Sequence, residues 1–291
     1  MNGLLLLDKP AGMTSHDVVR RVRRATGEES VGHLGTLDPM ATGLLPLLLG
    51  KYTRLAQFYG NAEKSYTGTI RFGFATDTYD AAGEPTGEPQ PLRHSLEELR
   101  ALAAPFHGEM LQMPPPYSAK KIGGKPAYKL AREGKPVELK PARIVISHFE
   151  LTGLEGESAS FAMDVSAGGY VRAVAQELGQ LAGCGAHLAS LRRTKAGCFR
   201  LEEAMTLEEM ERRAAAGELE ASLPHPRTLL PEMPSATADE QTCGRIRNGM
   251  AVNVPEFSNA PLVKIFSSQR DLLAIGKRIA GTLMQPMIVM G

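Results

Sequence analysis

Between Gly32 and Gly43 the chain packs three glycines and a proline into twelve residues, Gly32-His33-Leu34-Gly35-Thr36-Leu37-Asp38-Pro39-Met40-Ala41-Thr42-Gly43. No helix or strand period runs through this stretch, so it reads as a tight irregular loop. Pro39 carries no N–H and pushes the residue before it toward extended backbone. Asp38 is therefore a carboxylate held in place between apolar Leu37 and Met40. Such a group serves as nucleophile, general base or metal ligand, or it simply caps a turn, as Asp before Pro often does. The metal alternative is the poorest. His33 and Asp38 stand five apart in an irregular segment, and no second carboxylate falls at ligand spacing.

The segments around this loop alternate between strand and helix patterns. Leu4–Leu7 reads as a buried strand that enters a turn at Asp8-Lys9-Pro10-Ala11-Gly12. Thr14 and Asp17 have capping-box spacing, and Val18, Val19, Val22 and Ala25 line one face of the helix they open. Gly27 is placed to end that helix, while Arg20, Arg21, Arg23 and Arg24 form its solvated face. Tyr66–Gly73 alternates as a strand, residues 95–104 read as a helix capped by Ser95 and Glu98, and Ile144–Leu151 and Ser160–Ser166 read as strands. Val171, Val174, Leu178 and Leu181 return to helical spacing, and Thr206 with Glu209 caps a last short helix ending near Gly217.

There is no regular βαβ alternation and no internal repeat. The expected fold class is α+β: a mixed, largely antiparallel sheet with flanking helices. Pro224, Pro226, Pro231 and Pro234 punctuate an aperiodic stretch that reads as a linker. Beyond it, Leu262–Phe266, Leu272–Ile275 and Met287–Met290 suggest a small all-β module over 229–291, leaning on a larger domain over 1–228.

Composition excludes several classes. Hydrophobic residues at 43% and charged residues at 22% describe a globular chain. No apolar run reaches the roughly 18 residues of a membrane-crossing helix. Leu4–Leu7 is too short for a signal peptide, so a cytoplasmic protein is expected. Cys184, Cys198 and Cys243 are odd in number and far apart, which encodes neither a disulfide framework nor a zinc site. No phosphate loop, dinucleotide fingerprint or serine-nucleophile elbow is present.

The net charge of +1 hides a segregated distribution. Residues 117–143 carry Lys120, Lys121, Lys125, Lys129, Arg132, Lys135, Lys140 and Arg143 against Glu133 and Glu138. The window has a balance of +6, so the rest of the chain sums to −5. Tyr117 and Tyr128 are interleaved with these cations, a combination suited to phosphates and stacked bases. Seven glutamates face two arginines in 201–222 and account for much of the offset.

The loop resembles the GHxGTLDPxATG signature of the TruB-type pseudouridine synthases. Six further motifs follow the family's order. Asp8-Lys9-Pro10-Ala11-Gly12-Met13-Thr14-Ser15 is similar to its KPxGxTS opening, Lys64-Ser65-Tyr66 to KxY, and Thr76-Asp77-Thr78-Tyr79-Asp80 to TDTxD. Pro115-Pro116-Tyr117-Ser118-Ala119 resembles PPxYSA, Gly169-Tyr170-Val171-Arg172 resembles GTYVR, and the run from His187-Leu188 to Leu191-Arg192-Arg193-Thr194 resembles HLxxLRRT. Gly169 departs from the pattern, standing where the family usually has Thr.

The resemblance implies a cofactor-independent isomerase that turns the tRNA T-loop uridine at position 55 into pseudouridine. It implies base flipping, cleavage of the glycosidic bond, rotation of the base and reattachment through C5, with an accompanying tRNA-folding role. Asp38 is then the nucleophile, with attack on ribose, attack on the base and abstraction of a ribose proton all open. Tyr66 packs on the target base, and Arg172 pairs with the catalytic carboxylate. Tyr170 and Leu191 line the base pocket, and His33 takes part in extruding the uridine. Lys9 and Pro10 fall among the substrate-binding positions. Lys120, Lys121, Lys125, Lys129 and Arg132 become RNA-backbone candidates in a thumb-like insertion, and 229–291 becomes a PUA-like RNA-binding module. The implied partner is the T arm of tRNA, bound by a monomer with no obligate protein partner and no membrane. An RNA chaperone and a guide-directed ribosomal RNA enzyme are the alternative readings.

Overall fold

The computed structural model describes residues 1–115, 121–122, 125–126 and 140–290. Strand β1 (Gly3–Lys9) runs antiparallel to β3 (Thr42–Leu49), with Leu4 opposite Leu48 and Leu7 opposite Leu45. Between them lie helix α1 (Ser15–Thr26) and the short strand β2 (Val31–His33), which pairs with β3. The Thr14–Asp17 capping box is formed in both directions, and Gly27 closes α1 at φ 68° by donating its N–H to the Arg23 carbonyl. A helix whose ends are fixed this way starts and stops where its sequence says.

Next in order are β4 (Lys64–Phe72), α2 (Leu96–Ala103), β5 (Gly108–Gln112) and a two-residue ribbon, β6 (Lys121–Ile122) with β7 (Lys125–Pro126). The long hairpin β8 (Ala142–Glu155) and β9 (Ser158–Val165) follows. Then come α3 (Val171–Leu181), β10 (Ala186–Ala196), β11 (Phe199–Arg200), β12 (Met205–Thr206) and α4 (Leu207–Ala215). Among the described residues these strands build a ten-stranded sheet ordered β12-β1-β3-β10-β4-β9-β8-β5, with β11 on β10 and β2 on β3. Only the β1–β12 and β3–β10 pairings in it are parallel. The expected mixed, largely antiparallel α+β core is what forms.

The sheet is covered on both faces at its β1–β3–β10 end, which explains the unbroken leucine runs there. Leu5, Leu7, Leu45 and Leu47 pack toward α1 and α3, while Leu4, Leu6, Leu44 and Leu48 pack the other way. The second group meets residues from the far end of the chain, Leu229, Leu230, Phe266, Leu272 and Met290. Phe266 and Leu272 belong to a five-stranded sheet, β13 (Ser235–Thr237), β14 (Val252–Asn253), β15 (Leu262–Phe266), β16 (Leu272–Ala280) and β17 (Leu283–Val289), ordered β13-β15-β16-β17-β14. A helix at Glu240–Arg247 buries Cys243 and Ile246 in this sheet's own core.

One expectation changes. The stretch 224–234 is not a free linker. Leu229, Leu230 and Met233 are buried, and the buried Lys264 ammonium donates to the carbonyls of Arg227 at 2.8 Å and Leu229 at 2.6 Å. Leu181 carries the helical pattern of α3 to its end but is exposed there. Gly169 lies in the turn between β9 and α3, outside any strand.

Candidate active site

The loop between β2 and β3 is held by side chains from two other motifs. The buried Ser15 hydroxyl accepts from the Leu37 N–H at 2.8 Å and donates to the Leu37 carbonyl at 3.1 Å. On the other side of Asp38, the Pro39 carbonyl accepts from the Gly12 N–H at 2.8 Å. Lys9 is fully buried, and its ammonium donates to the carbonyls of Pro10, Met13 and Pro39 at 2.8, 2.6 and 3.4 Å. Burial lowers the Lys9 pKa to about 8, with the Asp38 carboxylate opposing that fall. Both peptide neighbours of Asp38 are thus pinned by the β1–α1 turn.

Arg193 fixes the start of the same loop. It is completely buried on β10, and its guanidinium donates to the carbonyls of Leu44 at 2.7 Å, Gly35 at 3.0 Å and Thr36 at 3.4 Å. Gly43 makes this possible. Its φ is 98°, and a Cβ there would overlap the Arg193 backbone.

A cavity of about 240 Å³ opens over the loop, lined by Gly35, Thr36, Leu37 and Asp38 on one side. Lys64, Tyr66 and Leu191 line it from β4 and β10, and Ser166, Gly168, Gly169, Tyr170, Val171 and Arg172 from the turn into α3. The Asp38 side chain is 33% exposed, whereas that of Arg172 is only 6% exposed. Arg172 Nε stands 3.0 Å from Asp38 Oδ2, and Nη2 donates to Asp38 Oδ1 at 3.3 Å. This is a fork-to-fork pair. Burial raises the Asp38 pKa, and the Arg172 charge is the main opposing influence.

Asp80 completes the pair from behind. Its Oδ2 accepts from Arg172 Nη1 at 3.3 Å, and Arg172 Nη1 also donates to the Thr78 carbonyl at 3.1 Å. The other oxygen of Asp80 accepts from the Thr78 hydroxyl at 2.7 Å and the Ala82 N–H at 3.0 Å. A buried guanidinium between two carboxylates has its fork direction set by the inner one and presents the rest to the outer one.

Tyr66 is buried on the cavity wall. Burial raises its phenol pKa, and the neighbouring Arg193 guanidinium works against that rise. Tyr170 precedes α3, with its backbone N–H and carbonyl both bonded to the Gln112 side chain. Leu191 is buried as the apolar floor. His33 sits at the end of β2, its Nδ1 accepting from the Gly35 N–H at 3.3 Å; burial lowers its pKa, and Arg193 adds to that.

The structure therefore gathers Asp38, Tyr66, Tyr170, Arg172 and Leu191 around one cavity, with His33 beside the loop. Pro10 is exposed on the turn, but Lys9 faces inward and holds the loop rather than facing the cavity. Lys120, Lys129 and Arg132 fall outside the described residues, as do the side chains of Lys121 and Lys125. Asp80, Arg193, Ser15 and Gln112 were not among the residues expected at the site. The first three stand inside motifs quoted from the sequence, but only their folded neighbours reveal what they hold.

The comparisons with known proteins agree with this geometry. The family model described as TruB family pseudouridylate synthase (N terminal domain) matches residues 23–171, and that of the tRNA pseudouridylate synthase B C-terminal domain matches 172–231. The chain belongs to the TruB family of pseudouridylate synthases. A tRNA pseudouridine synthase B from Solibacter usitatus is 46% identical over 293 residues, covering 100% of both chains. One from Aquifex aeolicus is 40% identical, covering 97% of this chain and 98% of the relative. The fold is similar to a solved H/ACA RNP bound to a substrate RNA containing 2'-deoxyuridine, with a TM-score of 0.71 at 22% identity, covering 99% of this chain and 85% of that one. The TruB model's boundary at Arg172 falls in the middle of the site, so both matched parts contribute to it. Among the described residues no helix is long and apolar enough to cross a membrane.

Proposed function

We propose that this TruB-family chain isomerises the T-loop uridine at position 55 of tRNA to pseudouridine. The observation that carries the reading is that Asp38, Arg172 and Tyr66 line one cavity, with Asp38 paired to the buried Arg172 and Arg172 held from behind by the buried Asp80. The names of the relatives, tRNA pseudouridine synthase B, supply the substrate class.

The reaction exchanges one bond for another. The C1'–N1 bond breaks with its electron pair leaving on N1, the base turns, C5 bonds to C1', and the C5 proton is lost as N1 gains one. Asp38, held ionised by Arg172, is the nucleophile. Tyr66 packs against the flipped base, and its hydroxyl is placed for the C5 proton. Tyr170 and Leu191 close the pocket, and His33 assists extrusion of the uridine. Pulling a base from a folded loop loses a few kcal/mol of stacking. The basic residues of 117–143, including Lys120, Lys121, Lys125, Lys129 and Arg132, are proposed to grip the phosphate backbone and offset that loss.

We assign 1–228 to the catalytic domain and 229–291 to a PUA-like RNA-binding module. A cytoplasmic monomer with no obligate protein partner is part of the same proposal. The test uses the purified chain alone with a T-arm stem-loop carrying C5-tritiated uridine. Tritium release by the parent and its loss in Asp38→Asn, with RNA binding retained, is the expected result. An unmodified stem-loop with the parent chain overturns the reading.

A further inference from the structure

Tyr170 and Arg172 sit at the start of α3. Tyr170 is the N-cap residue and makes no side-chain capping bond. The tie comes from 58 residues earlier in the chain. Gln112, the last residue of β5, is 1% exposed, and both ends of its amide are used on the same residue. Its Nε2 donates to the Tyr170 carbonyl at 3.0 Å, and its Oε1 accepts from the Tyr170 N–H at 2.8 Å.

That reciprocal pair does what a neighbouring strand would do for Tyr170, but from a single side chain. Both backbone polar groups of Tyr170 find their partner inside the protein, and the residue is held on two sides at once. The turn before it is tied to β8, where the Ser166 hydroxyl accepts from the Val145 N–H at 2.9 Å and the Ser166 N–H donates to the Val145 carbonyl at 2.8 Å. Since β5 and β8 pair with each other, the whole approach to α3 is referenced to one sheet edge. Two residues further on, Arg172 reaches Asp38 and Asp80.

We infer that Gln112 is a positioning residue for catalysis: it sets Tyr170 against the base and Arg172 against Asp38, without touching substrate itself. This rests on the function proposed above. A misplacement of about 1 Å at the reacting groups is enough to slow chemistry roughly 100-fold. Among the described residues, the charged groups that face Asp38 are Arg172 from α3, Asp80 from the 76–80 turn and Lys9 from β1. Of these, Arg172 is the one that follows two residues after the Tyr170 that Gln112 ties. A merely structural glutamine would lower thermal stability and leave the pH dependence of the folded enzyme where it was.

The experiment compares the full-length parent, Gln112→Leu and Gln112→Glu in single-turnover tritium release across pH, with the tRNA Kd measured separately. Leu removes both hydrogen bonds, and Glu retains an acceptor for the Tyr170 N–H. The expected result for Gln112→Leu is a rate about 10- to 100-fold lower at saturating enzyme. Its acid limb should move upward by about one pH unit as Arg172 loosens from Asp38, with Kd changed less than 3-fold. Gln112→Glu should fall between at alkaline pH. A folded Gln112→Leu enzyme with the parent's rate and acid limb overturns the inference. So does failure of both variants to fold, which would make the glutamine a structural tie only. If the parent itself releases no tritium, the proposed function falls instead, and the two failures are distinguishable.

Discussion

Arg172 Nε lies 3.0 Å from Asp38 Oδ2 while its Nη1 lies 3.3 Å from Asp80 Oδ2, so one guanidinium bridges an outer and an inner carboxylate. The inner one is almost fully buried and the outer one looks into the cavity. Charge is thereby delivered to Asp38 from a group whose far side is held by Asp80 and the Thr78 carbonyl. A surface arginine in the same place would spend much of its time in water.

Removing the outer charge separates activity from stability. Burial raises the Asp38 pKa above its ordinary 3.8, more than Arg172 lowers it. The folded state therefore holds the Asp38 proton more tightly than the unfolded chain, and this contribution to stability is lost as pH rises through the folded value. Asp38→Asn, which never ionises, is expected to melt above the parent at pH 7, with the difference disappearing below about pH 4. Tritium release should fall by at least about 1,000-fold in the same variant. Calorimetry at both pH values checks the first outcome, and a variant less stable than the parent at pH 7 would refute it.

The inner carboxylate answers a different question. Asp80→Asn retains an acceptor for Thr78 and Ala82 but removes the inner charge from Arg172. A buried charge that loses one partner typically destabilises by about 3–5 kcal/mol, and less when a polar isostere remains. The expected outcome is a clear drop in urea midpoint and a turnover lowered about 10- to 100-fold. Asp80→Asn with parental turnover would mean that Arg172 is oriented without the inner charge.

Ser15 offers a test of the loop rather than the charges. Ser15→Ala leaves the buried N–H and carbonyl of Leu37 without their side-chain partner. Leaving such groups unsatisfied costs about 1–3 kcal/mol. Since Leu37 precedes Asp38, the proposed nucleophile, the variant is also expected to slow single-turnover chemistry about 10-fold at unchanged RNA affinity. A rate change matched by an equal change in Kd would argue against the positioning role.

Much of this was legible in the sequence because it is local. The Thr14–Asp17 box, the Gly27 stop and the alternation of Tyr66–Phe72 are short-range signals, and each became the element it announced. Asp38 stood out for the same reason, as a carboxylate in a loop with no freedom. Partnership across the chain was not legible. Asp80 and Arg172 are 92 residues apart, Gln112 and Tyr170 are 58 apart, and Ser15 and Leu37 are 22 apart. A periodicity shows which way a side chain points but not which distant backbone group it will meet. The strands β3 and β10 were hidden for a related reason. β3 is buried on both faces, so its leucines show no alternation, and β10 opens on a continuous buried run at Ala186–Leu188 and alternates only over Leu191–Thr194.

Gly169 shows how such a long-range fit can be read backward. The family's usual residue there is Thr, yet a Cβ on Gly169 would overlap Val165 Cγ2, with the Ile144 Cδ1 atom 3.6 Å away. Val165 is buried in the main core and has no room to retreat. Gly169 and Val165 therefore form a matched pair in which the glycine makes space for the valine. Gly169→Thr alone is expected to destabilise by about 1–3 kcal/mol through overpacking. Adding Val165→Ala should return part of that loss, giving a favourable coupling of about 0.5–3 kcal/mol in a double-mutant cycle by urea denaturation. Additive effects of the two substitutions would show that the turn, not the core, absorbs the new side chain. Turnover should follow the same pattern, because the strained turn carries Tyr170 and leads directly into Arg172.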